Sequence, residues 1–157
     1  ILAYGQWLHV NITIYPFAFL ISVGKSQITD PVAFTYVAKK KTGNIYELVI
    51  TATLNKGWHI YSQNSDKNGS LPTKITFNPN PLVTITGKPK ETGKLIKLYD
   101  KTMKANLLYY ANNVSFTQTV TLKAAVKTNI TGTINYMLCD DNKCLPPTKK
   151  TFDIAIQ

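Results

Sequence analysis

Past residue 30 the apolar side chains of this chain recur at every second position, in short runs broken by Gly, Pro, Asn and Asp. Residues 45–54 show it best. Leu48, Ile50, Ala52 and Leu54 share one face, and Glu47, Val49, Thr51 and Thr53 share the other. That period of two is the mark of a strand with one buried face. The same reading predicts strands over 32–38, 58–61, 74–78, 82–86, 95–99, 107–110, 114–126, 130–138 and 151–156. Polar, Gly-containing segments at 39–44 and 55–57 read as turns, 62–72 and 87–93 as loops, and Asn112-Asn113 as a turn. No window of helical length carries a 3.6-residue period. Short strands at such spacing predict an all-β fold, an immunoglobulin-like antiparallel β-sandwich.

Length and charge add to this picture. A chain of 157 residues is enough for one domain with a real core. Residues 28–157 carry the strand pattern, while 1–27 differ. There an apolar run from Ile12 to Val23 is followed by Gly24-Lys25-Ser26-Gln27, which reads as a secretory signal peptide cleaved near Ser26 or Gln27. The run lacks the usual basic start, and the other reading is an N-terminal strand over 9–15. The formal charge is +10, yet all 18 basic residues are lysines and they are scattered. Without arginine, which supplies most bidentate contacts to phosphate and bases, the charge reads as a solvated surface, with no nucleic acid as partner.

The candidate chemistry lies near the C-terminus. The chain's two cysteines, Cys139 and Cys144, stand in Leu138-Cys139-Asp140-Asp141-Asn142-Lys143-Cys144-Leu145-Pro146-Pro147. They lie between predicted strands and close enough in sequence to bond to each other. A bridge over so short a ring is worth roughly 2 kcal/mol by loop entropy, little for a staple. For redox work the spacing is good, because attack on one sulfur leaves the other beside it to resolve the mixed disulfide. A plain loop clip in a secreted protein fits the spacing equally. Lys143 would favour a Cys144 thiolate, and Asp140 and Asp141 would oppose ionisation of Cys139. Two cysteines and His59, the one histidine beyond the leader, fall short of a structural zinc set, and no cofactor or metal is expected.

The cysteine hairpin closed by Pro146-Pro147 resembles the active-site hairpin of the N-terminal periplasmic domain of the DsbD family of thiol:disulfide interchange proteins. Gly57-Trp58-His59-Ile60-Tyr61-Ser62-Gln63 resembles that family's Gly-aromatic-x-x-Tyr-x-Gln strand. Tyr99-Asp100-Lys101-Thr102-Met103 occupies the place of its cap loop. The resemblance implies an immunoglobulin-like fold and a protein-disulfide reductase activity in the periplasm. Electrons would come from a DsbD-type membrane and thioredoxin-like donor and pass to periplasmic disulfide acceptors of thioredoxin fold. Contact with a membrane would be indirect. It implies that Cys144 attacks partner disulfides and Cys139 resolves them. His59 and Tyr61 would line the site, Asp100 would be the acidic cap residue, and Met103 would shield the disulfide. The chain departs from the family in a cysteine loop one residue shorter, in His59 where a Tyr is expected, and in Met103 where a Phe is expected. His59 would place a group that titrates near neutrality beside the thiols. The alternative is a secreted immunoglobulin-like binding module whose bridge is structural.

Overall fold

In a computed structural model, which describes residues 30–157, the alternating segments become ten strands. They are β1 (Val32–Thr42), β2 (Ile45–Leu54), β3 (His59–Tyr61), β4 (Lys74–Phe77), β5 (Val83–Ile85), β6 (Lys90–Asp100), β7 (Ala105–Leu122), β8 (Thr128–Tyr136), β9 (Leu138–Cys139) and β10 (Thr148–Ile156). All pairings are antiparallel, and the fold is the immunoglobulin-like sandwich that the pattern predicts. Residues 1–27, read as a leader, lie outside the described residues.

One sheet has seven strands. It runs β1-β2-β7-β3-β9, with β5 and β6 also paired to β7; the other sheet is β10-β8-β4. The inward faces meet in a core of Leu48, Ile50, Ala52, Ile60, Tyr110, Val114, Phe116, Val120, Ile130, Ile134, Tyr136 and Leu138, among others. Each fully buried aliphatic or aromatic side chain here stabilises the fold by roughly 1.5–3 kcal/mol through removal from water. Gly132 is fixed by this packing. A Cβ on it would lie 2.3 Å from the Thr76 carbonyl oxygen and 2.4 Å from the Phe152 ring. The Phe152 ring crosses the bare backbone and meets Phe77 edge-on at 5.5 Å.

Two expectations are corrected. Asn112-Asn113 is no turn, because β7 runs unbroken through it. Asn112 takes the left-handed conformation at φ 68°, which asparagine tolerates, so the strand bends without ending. Residues 87–93 are only partly a loop, since β6 starts at Lys90 and pairs with β7 on both sides of an irregularity between Gly93 and Leu95. A local pattern cannot show that β7 is paired with β3 and β6 up to Ala111 and Tyr110 and with β2 and β6 again from Asn113 and Val114, so that partners before and after Asn112 carry the strand past a turn-forming pair.

The long β7 is the spine. Its C-terminal half pairs with β2, and its N-terminal half with β3. That leaves room beyond β3 for β9. The chain reaches β9 by changing sheets, since β8 ends in the smaller sheet at Tyr136 and Leu138 is already in the larger one. Tyr136 anchors the step, being buried at its ring and donating its hydroxyl to Asp30 at 3.1 Å. Burial and the Asp30 carboxylate push its phenol far above the ordinary tyrosine range.

Candidate functional site

The period-two rule decides which side chains reach the outer face of the larger sheet beside β9. In β3, Ile60 points into the sandwich core, so His59 and Tyr61 point outward. In β9, Leu138 is in the core and Cys139 faces outward. Register aligns His59 with Cys139 on one side and with Ala111 on the other, and pairs Tyr61 with Tyr109. The outcome is a second, smaller apolar cluster of Tyr61, Ala105, Leu107 and Cys139, with Tyr109 and Met137 packed against it.

Cys139 and Cys144 are joined by a disulfide and face each other as an isolated antiparallel bridge. The ring between them is held by the backbone. The Asp140 N–H donates to the Lys143 carbonyl at 2.9 Å, and the Leu145 N–H donates to the Leu138 carbonyl at 2.8 Å. Asp140 Oδ1 accepts the N–H groups of Asn142 at 2.8 Å and Lys143 at 2.7 Å. This is why an aspartate begins the turn. Those two donors hold its carboxyl below the usual carboxylate range. The two sulfurs differ in environment: Cys139 is 2% exposed, and Cys144 is exposed on the rim.

Three rings bank up beside the buried sulfur. His59 lies 4.4 Å from Tyr109 and 5.5 Å from Tyr61, centre to centre, and the two tyrosines are 6.4 Å apart. Burial lowers the His59 pKa below the ordinary histidine value, against the pull of the Asp141 and Asp140 carboxylates. Burial, with Tyr109 and Asp100 adding to it, raises that of Tyr61. The segment after Tyr61 is tied down hard. The Thr73 hydroxyl donates to the Tyr61 carbonyl at 2.6 Å. Glu91 of β6 accepts from Ser62 Oγ at 2.7 Å, the Gln63 N–H at 2.7 Å and Tyr110 OH at 2.9 Å.

The expected cap loop is the β6–β7 connection. Asp100 Oδ1 accepts the N–H groups of Thr102 at 2.8 Å and Met103 at 2.9 Å. Met103 is 49% exposed. A Cβ on Gly69 would lie 3.2 Å from its sulfur, with Leu107 and Ala105 nearer still. Met103 therefore sits at the rim of the small cluster, against the loop before β4. Cys139, Cys144, His59 and Tyr61 come together directly, and Asp100 reaches them through its charge on Tyr61.

Sequence reasoning missed Tyr109, Met137 and Glu91 as parts of this region. Tyr109 reads as an ordinary sandwich aromatic, because strand register is needed to set it opposite Tyr61. The one signal for Glu91 is an acidic residue isolated among Lys88, Lys90 and Lys94.

Residues 25–156 match the family model described as the N-terminal part of the thiol:disulfide interchange protein DsbD. The chain belongs to this family. With its bonded cysteine pair it is a DsbD-type thiol–disulfide exchange domain. No curated protein matches it by sequence. Among solved structures, the N-terminal periplasmic domain of ScsB from Proteus mirabilis is 14% identical, with a TM-score of 0.58 over 80% of this chain. The chain spans 46% of the length of that ScsB structure, and the likeness is one of fold. The reduced N-terminal domain of DsbD from Neisseria meningitidis is 16% identical over 76% of this chain and 84% of its own, with a TM-score of 0.48. The complex of the Neisseria DsbD and PilB N-terminal domains is 15% identical over 76% of this chain and 80% of its own, with a TM-score of 0.49.

Proposed function

We propose that this DsbD-type domain is a periplasmic protein-disulfide reductase module in which Cys144 attacks a partner's disulfide and Cys139 resolves the product. The observation that carries the assignment is the unequal burial of the two sulfurs. A partner sulfur must approach along the S–S axis, and only the exposed Cys144 offers that approach. Cys139 sits beneath it, where its thiolate can displace the partner from Cys144. Asp100 and Met103 form the cap at the rim, and His59 and Tyr61 form the wall beside the buried sulfur. Electrons would arrive from a thioredoxin-fold donor of the DsbD type and leave to periplasmic acceptors of similar fold. Any link to a membrane runs through such a donor.

The deciding measurement is the reduction potential of Cys139–Cys144, by equilibration against glutathione or dithiothreitol followed by thiol trapping. A value between about −200 and −270 mV, the range of working exchange proteins, supports the assignment. A bridge reduced only when the domain unfolds would overturn it and leave an immunoglobulin-like binding module with a structural disulfide. Cys139→Ala then tests the roles, since it should hold partners on Cys144 as stable mixed disulfides.

A further inference from the structure

Resolution of the mixed disulfide poses a problem that the site's geometry makes acute. The second nucleophile is Cys139, and thiolates rather than thiols attack disulfides. Cys139 is 2% exposed, among Tyr61, Ala105 and Leu107. An apolar setting of that kind favours the protonated thiol. Water reaches the sulfur poorly, so a neighbouring group has to take its proton.

Few neighbours can. Tyr61 and Tyr109 are phenols, and burial raises the Tyr61 pKa further from the range of a useful base. Asp140 has its Oδ1 engaged by two backbone N–H groups, and its carboxyl is held below the usual range, so it is a weak base. Asp100 likewise has Oδ1 engaged by Thr102 and Met103, across the cluster on the cap. Asp141 is exposed on the turn, and Lys143 is a cation there. His59 remains. It is the direct cross-strand partner of Cys139, a relation that sets the two Cβ atoms roughly 4.5–5.5 Å apart on one face of the sheet. Its ring makes no side-chain hydrogen bond with the described residues that would occupy it otherwise.

We propose that His59 is the proton acceptor for the resolving cysteine. The inference rests on the exchange reading above and adds a residue to it. In the mixed disulfide, Cys144 Sγ is bonded to the partner's sulfur and Cys139 carries a thiol. The imidazole takes the Cys139 proton, and the Cys139 thiolate attacks Cys144 Sγ. The Cys139–Cys144 bond forms as the Cys144–partner bond breaks. The partner leaves as a thiolate and recovers a proton from the imidazolium. The domain's dithiol has been oxidised by two electrons, the partner's disulfide has been reduced to two thiols, and His59 is neutral again.

The surroundings suit both halves of that cycle. Burial keeps the imidazole neutral near pH 7, as a base must be, and the Asp141 and Asp140 carboxylates favour the imidazolium once it forms. Tyr109 and Tyr61 hold the ring from β7 and β3. Among the described residues, the other charged groups at this corner are Lys143 on the turn, beside Asp140, and Asp100 on the cap, beside Tyr61.

The test separates the two steps. Reduced protein is mixed with excess dithiobis(nitrobenzoate) in a stopped-flow cell. Attack by Cys144 releases a first thionitrobenzoate, and resolution by Cys139 releases a second. His59→Asn and His59→Tyr are compared with the parent between pH 5 and 9, with circular dichroism and melting of each oxidised form as a check on folding. We expect the first phase to be unchanged and the second to slow by about 100-fold, a common contribution of a positioned base. Its pH profile should move from the histidine's to that of an unassisted thiol, and added imidazole should restore part of the rate to a His59→Gly variant. A second phase with the same rate and pH profile in the folded variants overturns the role of His59. Loss of the first phase in the parent protein would instead sink the exchange reading itself.

Discussion

The two apolar clusters of this domain lie back to back across one sheet and obey different rules. Between the sheets, some twenty buried side chains interlock with little polar content, and Phe116, Ile134 and Val120 are fully enclosed. On the outer face, the cluster around Cys139 is small, open at the rim and ringed by His59, Tyr61, Tyr109, Asp100 and Asp140. The inner cluster gains its stabilisation from area. The outer one is too small for that, and it keeps one sulfur dry while leaving its partner accessible. A sheet can do both because successive side chains go to opposite faces. Ile60 and Leu138 build the core, while His59 and Cys139 next to them build the site.

If that division is right, substitutions should sort into two classes. The largest effect expected is Cys144→Ala, which should reduce disulfide exchange with a thioredoxin-fold substrate to background in an insulin-type or fluorescent reduction assay. The same change should lower folding stability by only roughly 2 kcal/mol, the value of so short a ring. A loss well above that in denaturant titration would mean that the bridge is a structural staple. Next, Phe116→Ala should cost about 3–5 kcal/mol by the same titration. The reduction potential of the folded fraction should stay where it was. A shifted potential would show that the two clusters are coupled more tightly than their geometry implies.

Glu91→Ala probes the seam between them. Its carboxylate holds Tyr110 of the core and Ser62 and Gln63 beside the site, so its loss strands three donors. Stability should fall by about 1–3 kcal/mol. In contrast to Phe116→Ala, the exchange rate should fall too, because the chain just after Tyr61 loses its anchor. The smallest effect expected is on pH dependence. The folded-state pKa of His59 lies below its unfolded value of 6.5, so the unfolded chain binds more protons in the window beneath 6.5. Stability from this source is present above pH 6.5 and is lost as pH falls through the folded pKa. His59→Phe should flatten the slope of chemical stability in that window. An unchanged slope would mean that the ring is not desolvated by Tyr109 and Tyr61. Asp140, with a pKa lowered from 3.8, acts only in more acid solution, so the two contributions separate on the pH axis.

Much of this division is legible in the order of the residues. The alternation at 45–54 marks a one-sided strand, and its even positions are the buried ones, Tyr46 through Leu54. The cysteine pair and the Pro-Pro step are visible there, and the resemblance of the Gly57–Gln63 stretch already directs attention to the strand that pairs with β9. Tyr109 and Glu91 are not legible in that way, because each matters through a residue far off along the chain. Glu91 reaches Ser62 across 29 residues, and nothing local to either one reports the other. Asn112-Asn113 misleads for a related reason. Local turn propensity favours a break, and strands on both sides of β7 overrule it.

The sequence by itself determined the strand periodicity, the all-β class, the pair of sulfurs and the residue types gathered near them. These are set by side-chain chemistry and by separations of a few residues, so short-range reading suffices. Which sulfur is buried, and that His59 is its direct cross-strand partner, was decided only in three dimensions. Both depend on the chain changing sheets at Met137 and on β9 docking against β3 in one particular register. A slip of one residue would have turned Cys139 into the core and Leu138 out to the solvent.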